Sequence, residues 1–265
     1  MNPWVERSIR LAESEGYLDK LSEIYPAERL PRRPLEESEI ELIKRLYREQ
    51  KGEELVRLLL KLTRKKHPFP IEHPYASLIR QKPTLISKNP KVVKKLGDIL
   101  LSMEVEDIIK GCERPPDINR VMGSAFQNWL RRKFSKDYPF LAGYQLKIFQ
   151  GPAFFDGKNA AIREFVKSEL GIELERGRDF LFKIGDTYVL GEARFLSTSG
   201  GSQTRDLQET ISFVRKTKRS NLIAIAVIDG IVWYNNTYKR MLSELEKDEP
   251  ALTALILEDF LKSLE

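Results

Sequence analysis

Apolar positions in this chain change period part-way along. Up to about residue 110 they recur at helical spacing. Trp4, Ile9 and Leu11 predict a helix over 3–15, and Ile40, Leu42, Ile43, Leu46, Leu55, Leu58 and Leu59 predict one over 37–60. A third, over 90–103, is opened by Asn89-Pro90, with proline at the first helical position. Pro31-Arg-Arg-Pro34 and the proline-rich run from His67 to Pro74 break these helices apart. Over 117–134, Val121, Phe126, Trp129 and Leu130 form one stripe, with Arg120, Asn128 and Arg131 around the other side.

Beyond residue 140 a period of two takes over in places. Tyr144, Leu146 and Ile148 alternate with polar residues and predict a strand over 143–149. Asp156 then precedes a helix with Ile162, Phe165, Val166 and Leu170 on one face, stopped by Gly171. Phe180, Phe182 and Ile184 alternate with Asp179, Leu181 and Lys183; Gly185-Asp186 is a glycine-first two-residue turn; Val189, Gly191, Ala193 and Phe195 then alternate with Tyr188, Leu190, Glu192 and Arg194. This is a β-hairpin with a determined register. Ile184 faces Thr187, Phe182 faces Val189, and Asp179 faces Glu192. A helix over 203–218 follows, with Leu207, Ile211, Phe213 and Val214 inward, and the apolar run 221–228 has the composition of a strand buried on both faces. Asp229-Gly230 predicts a hairpin into Ile231-Val-Trp-Tyr234, and two helices, over 238–245 and 251–264, close the chain. The expected fold is α/β, a mixed central sheet flanked by helices over 116–265, with a helical subdomain over 1–115.

The hairpin sets up a chemical question. Directly opposed residues have Cβ atoms roughly 4.5–5.5 Å apart, and like charges placed so repel. Asp179 and Glu192, with Arg194 two residues along on the same face, therefore call for a compensating cation. A hard divalent ion such as Mg²⁺ takes its oxygen ligands from one or two carboxylates plus substrate phosphate. Unrelated charges on a solvated face would give the same pattern. Asp156 is a rival to Asp179, although an Asp before a helix is commonly a cap. Glu169 falls within the apolar stripe of its helix, which makes it a possible extra ligand.

Composition narrows the classes. With 2 histidines and 1 cysteine in 265 residues, neither a structural zinc site nor a disulfide framework is expected, and the single Cys112 suits a reducing cytoplasm. No apolar run approaches a membrane span, so a soluble intracellular protein is expected. The net charge of +6 suits a polyanionic partner. Arg131 and Arg132, and the cluster Arg64-Lys65-Lys66, suit either solvated helix ends or DNA phosphates. The polar loop Ser197–Arg205, with Ser199, Ser202, Gln203 and Arg205, is an ordinary connection or a DNA-contacting one.

A strand, an Asp, a hairpin, then Glu-x-basic, a helix and a buried strand together resemble the PD-(D/E)XK nuclease core of type II restriction endonucleases. The segment Gly191-Glu-Ala-Arg-Phe-Leu-Ser-Thr-Ser-Gly-Gly-Ser-Gln203 is similar to a stretch found in some of those enzymes, and the resemblance covers roughly residues 118–236. It implies that Asp179 and Glu192 bind Mg²⁺ and that Arg194 stands where the family's lysine usually sits. It further implies double-stranded DNA as partner, cleavage at specific sites and a homodimer. Arg178 rather than proline precedes Asp179, and arginine, unlike lysine, cannot act as a general base near neutral pH. Lys183, on the same strand face, is a possible substitute amine. Gln203 and Arg205 are the expected base-edge contacts. The alternatives are a repair or junction-resolving nuclease of the same fold, and a DNA-binding protein with a degenerate site.

Overall fold

The computed structural model describes residues 2–26, 33–65, 67–115, 118–217 and 219–265. Pro31, Lys66, Asp117 and Lys218 lie outside them, as do the side chains of Arg64 and Arg120. The chain forms two compact units, one made of residues 1–28 and 118–265, the other of residues 29–117. Helices α1 (Pro3–Ala12) and α2 (Tyr17–Ile24) belong to the first, so the helical unit is an insertion and does not begin at the N-terminus.

The inserted unit contains α3 (Glu37–Arg48), α4 (Gly52–Leu62), α5 (Pro74–Gln81), α6 (Leu85–Lys88), α7 (Pro90–Leu101) and α8 (Val105–Cys112). The helix expected over 37–60 is two, because Gln50 takes a left-handed backbone (φ 55°) and turns the chain. Ile43, Leu46, Leu55, Val56, Leu59, Val93, Leu96, Leu100 and Ile108 make its core. Gly52 and Gly97 let α4 and α7 meet backbone to backbone: a Cβ added at Gly97 would lie 2.7 Å from the Gly52 carbonyl carbon. Cys112 is buried there, and burial pushes its thiol up to about 12, so it stays an unreactive core residue.

The other unit continues with α9 (Ile118–Phe134), β1 (Phe140–Leu141), α10 (Gly143–Ile148), β2 (Ala153–Phe155), α11 (Asn159–Leu170), β3 (Phe180–Ile184), β4 (Thr187–Leu196), α12 (Gly201–Lys216), β5 (Leu222–Gly230), α13 (Asn236–Ser243), β6 (Ala251–Leu252) and α14 (Leu257–Lys262). The six strands form one mixed sheet in chain order. β1 and β2 are parallel, β2–β3 and β3–β4 antiparallel, and β4, β5 and β6 parallel. Helices cover both faces. On one, Phe126 and Phe134 of α9 pack on Phe180 and Phe182. Gly191, directly opposite Phe180, leaves room for that ring: a Cβ there would lie 1.8 Å from it. On the other, the α12 residue Phe213 lies under the Arg178 guanidinium, 3.9 Å from ring centroid to Cζ. All five β3 residues are consequently buried, where the alternating pattern implied a single buried face.

Three expected elements differ. Residues 143–148 are helical, and of Tyr144, Leu146 and Ile148 only Leu146 is buried, so their alternation does not mark a shared face. The sheet beyond β3 is built instead by the short β2 and the edge strand β1, too brief to show a period. Asp229-Gly230 is no hairpin turn. β5 runs through both, Gly230 (φ 93°) pairing with Leu196, and the chain then enters a 3-10 turn over Ile231–Trp233. Asp229 is fully buried, accepting hydrogen bonds from the Tyr17, Tyr25 and Thr253 hydroxyls and the Ala254 N–H. Finally, the segment from 251 opens as a strand, since Ala251 and Leu252 extend the sheet beside Ala226 and Val227 before α14 begins.

Candidate active site

The turn at Gly185 (φ 56°) and the β3–β4 register bring the acidic pair together. Ile184 pairs with Thr187 and Phe180 with Gly191, where the paired register ends; the Asp179 N–H also donates to the Gly191 carbonyl, at 3.0 Å. Asp179, just before β3, and Glu192, just after Gly191, lie near one another at this end of the ladder, where the hairpin pattern expected a direct cross-strand pair. Their surroundings differ. Asp179 sits at the edge, one carboxylate oxygen accepting the Ala193 N–H at 2.8 Å and the other facing the Asn159 amide at 3.4 Å. Gln127 of α9 donates to the Asp179 carbonyl at 2.8 Å, holding that backbone in place.

Glu192 is only 1% exposed, and three guanidinium groups surround it. Arg176 and Arg194 share one oxygen and Arg178 holds the other. Arg176 also reaches Glu209 of α12 at 3.3 Å. Arg194 spans the pair: one of its terminal nitrogens bonds Glu192 and the other stands 4.0 Å from Asp179. A positive group is thus already seated between the two carboxylates. Arg178 is 7% exposed, and its pKa lies below the ordinary arginine value, chiefly through burial, while Glu192 opposes that shift. A cavity of about 280 Å³ opens beside this cluster, lined by Tyr25, Phe126, Gln127, Asp179, Arg194 and Asp206 among others.

Residues 2–264, nearly the whole chain, match the family described as Tsp45I type II restriction enzyme. The chain belongs to that family. No curated protein and no solved structure matches it. A member of the Tsp45I family is a site-specific deoxyribonuclease that binds DNA and hydrolyses its phosphodiester bonds, and the match favours this over the repair-nuclease and non-catalytic alternatives. Type II restriction enzymes generally use divalent metal ions. Among the described residues no helix is long and apolar enough to cross a membrane.

Against this Tsp45I-family background the other expected site residues fall in several places. Lys183 is buried and donates to the carbonyls of Leu146, Lys147 and Phe149, at 3.2, 2.9 and 2.6 Å, where it caps the end of α10. Glu169 pairs with Lys147 at 2.7 Å, so neither joins the acidic pair. Asp156 pairs with Arg131 at 2.9 Å and is not a helix cap, since the N-cap of α11 is Lys158. Gln203 is buried; its carbonyl accepts from the Thr198 N–H (2.9 Å) and its amide donates to Ser197 (3.1 Å), so it shapes the loop from within. Ser199, Ser202, Arg205, Arg131 and Arg132 are exposed. Arg176, Arg178, Gln127 and Asp206 were not singled out by pattern, although Arg176-Gly-Arg178 immediately before the acidic position was a readable basic signal.

Among the described residues no three histidine, cysteine, aspartate or glutamate side chains cluster closely enough to hold a metal. The carboxylate oxygens of Asp179 and Glu192 are nevertheless the donors that a hard cation takes, and a positive group, Arg194, already lies near both.

Proposed function

We propose that this endonuclease works through a Mg²⁺-dependent site of the PD-(D/E)XK kind, with Asp179 and Glu192 as its acidic pair and Arg194 in place of the usual lysine. The observation that supports this reading is Arg194 at the end of the β3–β4 ladder, its guanidinium bonded to Glu192 and 4.0 Å from Asp179. Asp179 and Glu192 would hold the ion, which supplies a more acidic bound water and positive charge at the scissile phosphate.

A guanidinium offers donors and no acceptor, so Arg194 takes no proton. It stabilises the negative charge that builds on the phosphoryl oxygens in the transition state. Arg176 and Arg178 fix the orientation of Glu192. Arg131 and Arg132 meet phosphates, and Arg205, Ser199 and Ser202 meet the duplex from the loop that Gln203 holds in shape. Two copies related by a dyad would present equivalent sites to the two strands, making a homodimer the working form, and the protein acts in the cytoplasm.

Plasmid digestion tests the reading. The purified protein should yield discrete fragments with Mg²⁺ and none with EDTA, while Asp179→Ala should bind DNA in a gel shift without cutting it. Cleavage by Asp179→Ala at the unsubstituted rate refutes the assignment.

A further inference from the structure

The chemistry above leaves one proton without a destination. Water attacking phosphorus must lose a proton, and Arg194 cannot take it. Both oxygens of Glu192 are held by guanidinium groups, and those of Asp179 face the Ala193 N–H and the Asn159 amide. The Tyr25 hydroxyl is engaged with Asp229, and Gln127 donates to the Asp179 carbonyl.

One acid lining the same cavity is differently placed. Asp206 lies in the second turn of α12, and its side chain has no hydrogen bond or ion pair among the described residues. Beyond the hydrogen bonds of the helix itself, its backbone carbonyl accepts from the Thr210 hydroxyl at 2.8 Å. A half-exposed carboxylate with no structural partner, in a cavity it shares with Asp179 and Arg194, is available for proton transfer. Nothing in the sequence pattern separates it from the surface acids of a polar helix; the packing of α12 against β4 does.

We infer that Asp206 is the general base of the reaction, an assignment that rests on the proposed function above. The water oxygen forms the new bond to phosphorus as Asp206 takes one of that water's protons. The bond to the leaving ester oxygen breaks with its electron pair on that oxygen, which is protonated from solvent. Asp206 then returns its proton to bulk water.

The test uses single-turnover cleavage of a duplex carrying the mapped site by Asp206→Asn, Asp206→Ala and Asp206→Glu, with DNA affinity by gel shift and metal binding by Tb³⁺ luminescence. Removing a general base typically lowers the rate ~10²–10⁴-fold. The Asn and Ala variants should show that loss with DNA affinity, Tb³⁺ binding and melting temperature unchanged. Asp206→Glu should recover part of the rate, and added formate should partly rescue Asp206→Ala, which restoring a purely structural contact would not do. Wild-type cleavage by Asp206→Asn overturns the inference, as does loss of Tb³⁺ binding together with cleavage, or failure of both rescues. Asp179→Ala separates the two claims: if it stays active the proposed site itself fails, whereas an inactive Asp179→Ala beside a fully active Asp206→Asn removes only the role of Asp206.

Discussion

Glu192→Gln tests the three-arginine cluster. The substitution keeps the side-chain volume, so what it removes is charge. Three guanidinium groups lose their shared carboxylate, but their environments differ. Arg176 is 42% exposed at its side chain and Arg194 is 28% exposed, so water takes over much of their solvation. Arg178 is 7% exposed and stacked on Phe213, and is left as a buried cation beside an amide that has hydrogens of its own to place. Breaking one side of a buried ion pair costs about 3–5 kcal/mol. At about 2–4 °C of melting temperature per kcal/mol for chains approaching this size, the midpoint should fall by roughly 6–20 °C. Asp179→Asn is the matched control. Its carboxylate is 22% exposed and makes one good backbone hydrogen bond, so the loss there is about 1 kcal/mol. Thermal unfolding and plasmid cleavage, measured on both variants, separate stability from chemistry. Both should be inactive, yet only Glu192→Gln should be markedly less stable. A Glu192→Gln protein that melts with wild type refutes the view that this carboxylate anchors the cluster.

Lys183→Met leaves three carbonyls at the end of α10 without their shared donor and should cost about 1–3 kcal/mol in urea unfolding, while activity per folded molecule persists; inactivity in a stably folded variant would move Lys183 to the chemistry. Arg205→Ala should weaken DNA binding and reduce the slope of log K against log[salt] by about one if Arg205 meets a phosphate; an unchanged slope removes it from the backbone contacts. Asp229 makes stability depend on pH. Burial raises its pKa above the usual 3.8, against the lowering effect of its hydrogen bonds. Its contribution is therefore fully present below 3.8 and is lost as pH rises through the raised value. The stability of Asp229→Asn relative to wild type should accordingly rise with pH across that window, and a flat difference in urea denaturation refutes the shift.

The sequence exposes what local geometry controls. The Gly185-Asp186 bend and the alternation on either side are enough to set the register of β3 against β4, because a slip of one residue would exchange the side chains that each covered face of the sheet presents. The run 221–228 reads as a doubly covered strand because nothing polar interrupts it. Other features depend on distant partners. β1 and β2 are too short for a pattern, and α10 imitates a strand over six residues. Asp229-Gly230 has the composition of a turn, yet hydroxyls from α2, its C-terminal flank and the β6 edge hold it inside the sheet unit. Arg176 and Arg178 lie in an aperiodic connection, so no spacing rule directs them toward Glu192. That Glu192 is enclosed by arginines is a property of three-dimensional packing, and it divides two carboxylates that look equivalent in sequence into a caged one and a more open one.

The interrupted sheet unit has a consequence for assembly. Tyr17 and Tyr25 precede Asp229, the acid they bind, by 212 and 204 positions, and the Asn2 amide donates to the carbonyls of Glu246 and Glu249. The first two helices thus emerge from the ribosome long before the strands that receive them, while the inserted helices need only near neighbours to close their own core. Contacts spanning almost the full chain are slow to form because a large loop must be closed before any of them is made. The insertion is placed to fold early, and the unit that carries the acidic pair is placed to finish late, once both of its segments have been made.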